Sequence, residues 1–118
     1  MKALFVLNDA AYGSEHTYNT LRWAGAMAKL PDSEVKIFLF GDAVLCAKAG
    51  QQVPEGFYNL QLMLDKLLAT HDGNAVGVCS SCLNARGISD AELMAGAHRS
   101  SLTELCEWTA WADKVMVI

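Results

Sequence analysis

The sequence predicts an α/β fold, a three-layer α/β/α sandwich built on a mainly parallel sheet of four to five strands. Three observations predict it. Short apolar runs rich in strand formers recur at Lys2–Leu7, Val35–Phe40, Ala75–Val78 and Val115–Ile118. Segments with helical periodicity or capping signals lie between them, and strands alternating with helices imply parallel strands covered on both faces by right-handed crossovers. The 118 residues contain no repeat, low-complexity tract or dividing linker, so they form one domain spanning 1–118.

After the first strand, Asn8 to Gly13 reads as a loop. Ser14 is a good N-cap, and Glu15 suits the positive end of the helix that follows. That helix runs to about Leu30, with Leu21, Ala24 and Ala28 on one face, and Pro31-Asp32-Ser33 turns the chain. After the second strand, Asp42 caps a short helix through Cys46 that stops at Gly50. Pro54 and Gly56 make 50–57 a loop. Asn59 then caps a helix on which Leu60, Met63, Leu64, Leu67 and Leu68 recur at helical spacing. The third strand delivers the chain directly to Cys79.

Two capping-box patterns follow, Ser89-Asp90-Ala91-Glu92 and Ser101-Leu102-Thr103-Glu104. The first opens a short helix ending near Gly96. The second opens a longer one with an expected inner stripe of Leu102, Leu105, Cys106, Thr109 and Ala112. Cys46 and Cys106 are then core residues. Trp108 borders the stripe and Trp111 lies further round, which makes each either a flank packed under a loop or an interface anchor, and the interface is the favoured reading.

Hydrophobic residues make up 53% and charged residues 19%, an apolar balance that points to self-association. The net charge of −4 argues against nucleic acid and against an anionic membrane surface as partners. The apolar start is too short for a signal sequence, and no run reaches the roughly 20 apolar residues of a membrane span. Four cysteines without such a signal suggest a reducing, cytoplasmic setting, where thiols serve packing, metal binding or catalysis.

In parallel sheets, sites lie beyond the carboxyl ends of the strands. Three loops qualify: Asn8–Ser14, Gly41-Asp42 and Cys79–Ser89. Cys79-Ser80-Ser81-Cys82 is the sharpest signal among them. A thiolate is the reactive form of cysteine, and a neighbouring cation such as Arg86, or loop amides, would favour it. Cys79 would then accept a sulfane sulfur and pass it to another thiol, with Cys82 as a resolving thiol. The alternative is that both are small buried residues at a strand end. A zinc site would need two further ligands, and His16, His71 and His98 are scattered singly, so no metal is expected. A thioredoxin-like site would need a later proline, and Pro31 and Pro54 both precede the cysteines. Around Tyr12-Gly13-Ser14-Glu15, Gly13 would let backbone approach a ligand and the helix start could hold an anion, or the segment is simply a cap. No phosphate-binding glycine motif is present, and no cofactor is expected.

Tyr12-Gly13-Ser14-Glu15, Asp42, Cys79-Ser80-Ser81-Cys82 with Arg86-Gly87-Ile88, and Trp108-Thr109 with Ala112-Asp113-Lys114-Val115 together resemble the DsrE/DsrF-like family over essentially the whole chain. The resemblance implies a three-layer sandwich assembled as a homo-trimer or homo-hexamer. In sulfur-relay members a cysteine directly after a central strand carries a persulfide, and Cys79 occupies the matching place, eight positions before Gly87. Those members work as sets of different subunits and lack the equivalent of Cys82. The function implied is a sulfur carrier with sulfur donor and acceptor proteins as partners. The alternative is a non-catalytic oligomer that binds a small ligand or senses redox state.

Overall fold

The computed structural model describes all 118 residues. Five parallel strands form one sheet in the order β4-β3-β2-β1-β5, with β1 Lys2–Leu7, β2 Glu34–Leu39, β3 Ala75–Cys79, β4 Ala97–Ser100 and β5 Lys114–Val117. The helices are α1 His16–Ala28, α2 Leu60–Thr70, α3 Ser80–Ala85 and α4 Leu102–Trp111, with 3-10 turns at Gly41–Ala47 and Asp90–Glu92. The three-layer α/β/α expectation holds.

Strand register sorts the core onto two faces. Side chains alternate along a strand, and residues paired in parallel register share a side. Phe5 pairs with Ile37, which pairs with Val76; this row faces α1, whose Trp23 meets Phe5 edge-on at 5.1 Å. The next row, Val6, Phe38 and Gly77, faces α4, whose Trp108 meets Phe38 at 6.2 Å. Both faces of β1 are therefore buried from Ala3 to Leu7, and those of β2 from Ile37 to Leu39, which is why these stretches read as apolar runs; Lys36 interrupts β2 where its side chain lies over the α4 tryptophans. At the amino ends, buried Asn74 clips α2 to the sheet. Its amide accepts from the Val35 N–H at 2.7 Å and donates to the Leu67 carbonyl at 2.8 Å.

Two expectations are corrected. The capping box at Ser89 forms, with both reciprocal hydrogen bonds, but it opens only the turn Asp90–Glu92. Leu93 is already extended (φ −82, ψ 146), Gly96 turns with φ +93, and Ala97–Ser100 becomes an edge strand on β3. The sequence Ala-His-Arg-Ser has no apolar pattern because backbone pairing, not burial, holds it.

Helix α4 is also rotated from the expected stripe. Trp108 is only 6% exposed, whereas Leu102 is 64% exposed and Cys106 lies on the surface. The cause is Gly77: a Cβ there would stand 3.0 Å from the Trp108 ring, so the missing side chain is the seat of the indole. Burying the larger ring outweighs burying Leu102. Lys36 lies 4.2 Å from the Trp111 ring centre and 5.2 Å from that of Trp108, and both tryptophans belong to the α4 packing of this chain.

Candidate functional site

Cys79 ends β3 and is the N-cap of α3. The expected loop from Cys79 to Ser89 is thus replaced at its start by a short helix, which sets the Ser81 and Cys82 backbone amides near the sulfur. The Cys79 side chain belongs to the α4 face, since Cys79 pairs with Ser100 just as Gly77 pairs with His98. The residue is 6% exposed, and its Sγ lies 3.3 Å from the Ser81 Oγ. Burial works to raise its pKa. The Ser81 hydroxyl, the Cys82 amide and thiol, and the Ser81 amide together outweigh it, so the thiol falls below its ordinary value. Cys46 shows the opposite outcome: buried without such donors, its thiol is pushed up to about 12 by desolvation, only partly offset by a backbone hydrogen bond. The two buried thiols are thus shifted in opposite directions, Cys46 up and Cys79 down.

Arg86 is not what lowers it. Its Nε and Nη2 both bond one Asp42 carboxylate oxygen, at 3.1 and 2.9 Å, and its Nη1 donates to the Cys82 carbonyl at 3.1 Å. The expected cation for the thiolate is thus engaged by Asp42 and by the end of α3. Asp42 does not cap the turn that follows β2, where Phe40 is the N-cap; it ties that turn to α3. Gly87 follows Arg86 with φ +66, a conformation that lets the Ile88 N–H return to the Leu83 carbonyl at 3.0 Å and close α3.

The remaining candidates sit elsewhere. Tyr12 turns to the segment before α2: its hydroxyl bonds the Gln51 side chain and accepts from the Leu60 N–H at 3.2 Å, and its ring stacks on Tyr58. Glu15, not Ser14, is the N-cap of α1, and its side chain makes no cap bond; the Ser14 Oγ accepts from the His16 N–H at 3.3 Å. A Cβ on Gly13 would meet Ala10 at 3.3 Å, so Gly13 serves the packing of this turn. Tyr12 to Glu15 therefore make no hydrogen bond to the Cys79 group, whereas Asp42, Cys82, Arg86 and Gly87 cluster around α3.

Arg99 and Ser100 are not legible in the sequence because β4 is not, and the partnership of His98 with Glu104 is hidden with them. Arg99 on β4 donates to the Ser80 carbonyl and hydroxyl, the Asn84 side chain and the Ile88 carbonyl, all at 3.0–3.1 Å, and pairs with Asp90. It pins α3 and the segment behind it. Ser100, beside Cys79 in register, donates to the Glu104 Oε1 at 2.6 Å, and His98 bonds the same oxygen. Burial raises the Glu104 pKa, but the Ser100 hydroxyl, the bond and charge of His98, and the charge of Lys36 hold it below the usual value. No three His, Cys, Asp or Glu side chains converge as metal ligands. No helix is long and apolar enough to cross a membrane.

The DsrE/DsrF-like family model matches residues 1–118. The chain is 40% identical to the protein YchN of Escherichia coli over 116 residues, 98% of this chain and 97% of that one. It is 34% identical to an uncharacterised protein of Methanocaldococcus jannaschii, over 98% of both chains. The crystal structure of Escherichia coli YchN superposes with a TM-score of 0.91 at 39% identity, covering 100% of this chain and 99% of that one. A Methanobacterium thermoautotrophicum protein of unknown function shares the fold, with a TM-score of 0.73 at 14% identity over 99% of this chain and 98% of that one.

Proposed function

This chain belongs to the DsrE/DsrF-like family, and on that premise we propose that it is a cytoplasmic, homo-oligomeric sulfur carrier that holds a persulfide on Cys79. The observation that carries the reading is the place of Cys79, at the end of β3 and the start of α3 with its Sγ 3.3 Å from the Ser81 Oγ, where the Ser81 hydroxyl and the first amides of α3 lower the thiol against the effect of burial. The Cys79 thiolate attacks the outer sulfur of a donor persulfide, R–S–SH. The new Cys79 S–S bond forms, the donor S–S bond breaks, and the donor leaves as a thiolate that takes up a proton from water. An acceptor thiolate attacks the same outer sulfur and leaves Cys79 as a thiolate again, so no net oxidation occurs. The low exposure of Cys79 is compatible with this traffic, because the sulfane sulfur stands about 2 Å beyond Sγ.

Cys82 favours a second use of the same site. It lies three residues on, in the first turn of α3, and its thiol helps lower that of Cys79; there it would attack the inner sulfur of the persulfide, forming a Cys79–Cys82 disulfide and releasing hydrosulfide. An external dithiol would then reduce the disulfide. Intact-mass spectrometry after incubation with glutathione persulfide, on wild type, Cys79→Ser and Cys82→Ser, tests both. A sulfur adduct on wild type and Cys82→Ser but absent from folded Cys79→Ser is the expected result. An adduct that survives in Cys79→Ser overturns the carrier reading. No adduct on any folded variant would favour a ligand-binding protein with incidental thiols.

A further inference from the structure

The chain carries 13 acidic residues against nine Lys and Arg, yet one long surface groove has no acid in it. The groove runs between α1 and α2 on the sheet face away from Trp108. It consists of two depressions of about 510 and 490 Å³ that share Arg22, Met63 and Lys66. Leu21, Met63 and Leu67 contribute its apolar floor. Arg22, Lys66 and Lys29, which is the C-cap residue of α1, line it, and all three are exposed and in no ion pair. Elsewhere the cations are largely engaged: Arg86 and Arg99 pair with carboxylates, and Lys2 and Lys36 lie over Trp111. At the Tyr58 end the groove opens onto stacked aromatics. Tyr18 lies 3.9 Å from Tyr58 with Arg22 over its outer face, and Phe57 is 74% exposed.

We infer that the α1/α2 groove docks an acidic amphipathic helix of a partner protein. Arg22 and Lys29 are seven residues apart, or about 10 Å along α1, which matches carboxylates two turns apart on a partner helix. An apolar floor between two helices takes the aliphatic stripe of such a helix, and the unpaired cations meet its flanking acids. Phe57 supplies an aromatic anchor at one end. Nucleic acid fits poorly, since three cations offer few phosphate contacts on a chain of net charge −4. An anionic bilayer is disfavoured by the same net charge. The docking surface is independent of Cys79, which lies on the other face of the sheet.

The test uses the full chain and a fluorescein-labelled peptide with leucines at i, i+4 and i+7 flanked by glutamates, read by anisotropy. Controls are the same composition scrambled, a single-stranded oligonucleotide and phosphatidylserine vesicles. Binding of the patterned peptide that weakens with salt, and falls about tenfold or more in Arg22→Glu/Lys66→Glu, is the expected result. Circular dichroism and the Cys79 alkylation rate of that variant should match wild type. Absence of peptide binding, equal binding by the variant, or equal binding of the scrambled peptide overturns the proposal. So does preferential binding of the oligonucleotide or vesicles through the same two cations. A change in the self-associated mass of the variant would assign the groove to a second copy and overturn it as well.

Discussion

Trp108 and Leu102 make opposite claims on α4, and substituting each decides which face is inner. Trp108 is 6% exposed, seated on Gly77 with Phe38 at 6.2 Å and His98 at 5.9 Å. Truncation to alanine removes the indole from a site that rigid strands cannot refill, at a cost of about 3–5 kcal/mol. For 118 residues the unfolding entropy is ~0.25 kcal/mol/K, so the melting midpoint of Trp108→Ala falls by roughly 12–20 °C. Leu102 is 64% exposed, and its truncation changes stability by less than ~0.5 kcal/mol. Urea unfolding followed by circular dichroism measures both, at two protein concentrations. Burial of Leu102 between copies would make its cost rise with concentration, whereas the cost at Trp108 stays constant. A dilute-solution loss at Leu102 larger than that at Trp108 would refute the assignment of the inner face.

Asn74→Ala leaves the Val35 N–H buried without its 2.7 Å partner and should cost about 1–3 kcal/mol in the same assay. Glu104 has a depressed folded-state pKa, so the stability it contributes is present above its unfolded value and lost as pH falls through the folded one. Wild type should therefore lose more stability than Glu104→Gln across that acidic window, as followed by thermal melts at stepped pH. Ser81→Ala removes the hydroxyl at 3.3 Å from Cys79 and should shift the pH profile of Cys79 alkylation upward. Arg86→Ala, which breaks the pair with Asp42, should leave that profile close to wild type.

The sequence made the central strands legible because most of their residues are buried on both faces and read as apolar runs, broken only by Lys36 in β2. It also placed Asn59 correctly: its side chain accepts from the Leu62 N–H at 3.1 Å. It hid β4, whose four residues pair through backbone alone, and with β4 went Arg99 and the Ser100–Glu104–His98 cluster. The rotation of α4 was hidden for a different reason. Helical periodicity ranks Leu102 and Cys106 as inner, but the choice is made by the absent side chain of Gly77, a feature of β3. At the site, Cys79 was legible from its position after a strand. Backbone amides were among its expected donors, although they belong to the first turn of α3 rather than to a loop; the Ser81 hydroxyl was not expected, and the expected cation is tied to Asp42.

The most direct test of sulfur carriage loads the protein from a radiolabelled persulfide donor, removes the donor by gel filtration, and adds a reduced acceptor thiol. A carrier holds label on the Cys79 peptide after filtration, and the label moves to the acceptor in a single turnover that Cys79→Ser cannot perform. Label found on Cys46, Cys82 or Cys106 instead, or label on Cys79 that the acceptor cannot remove, would contradict a carrier role for this thiol.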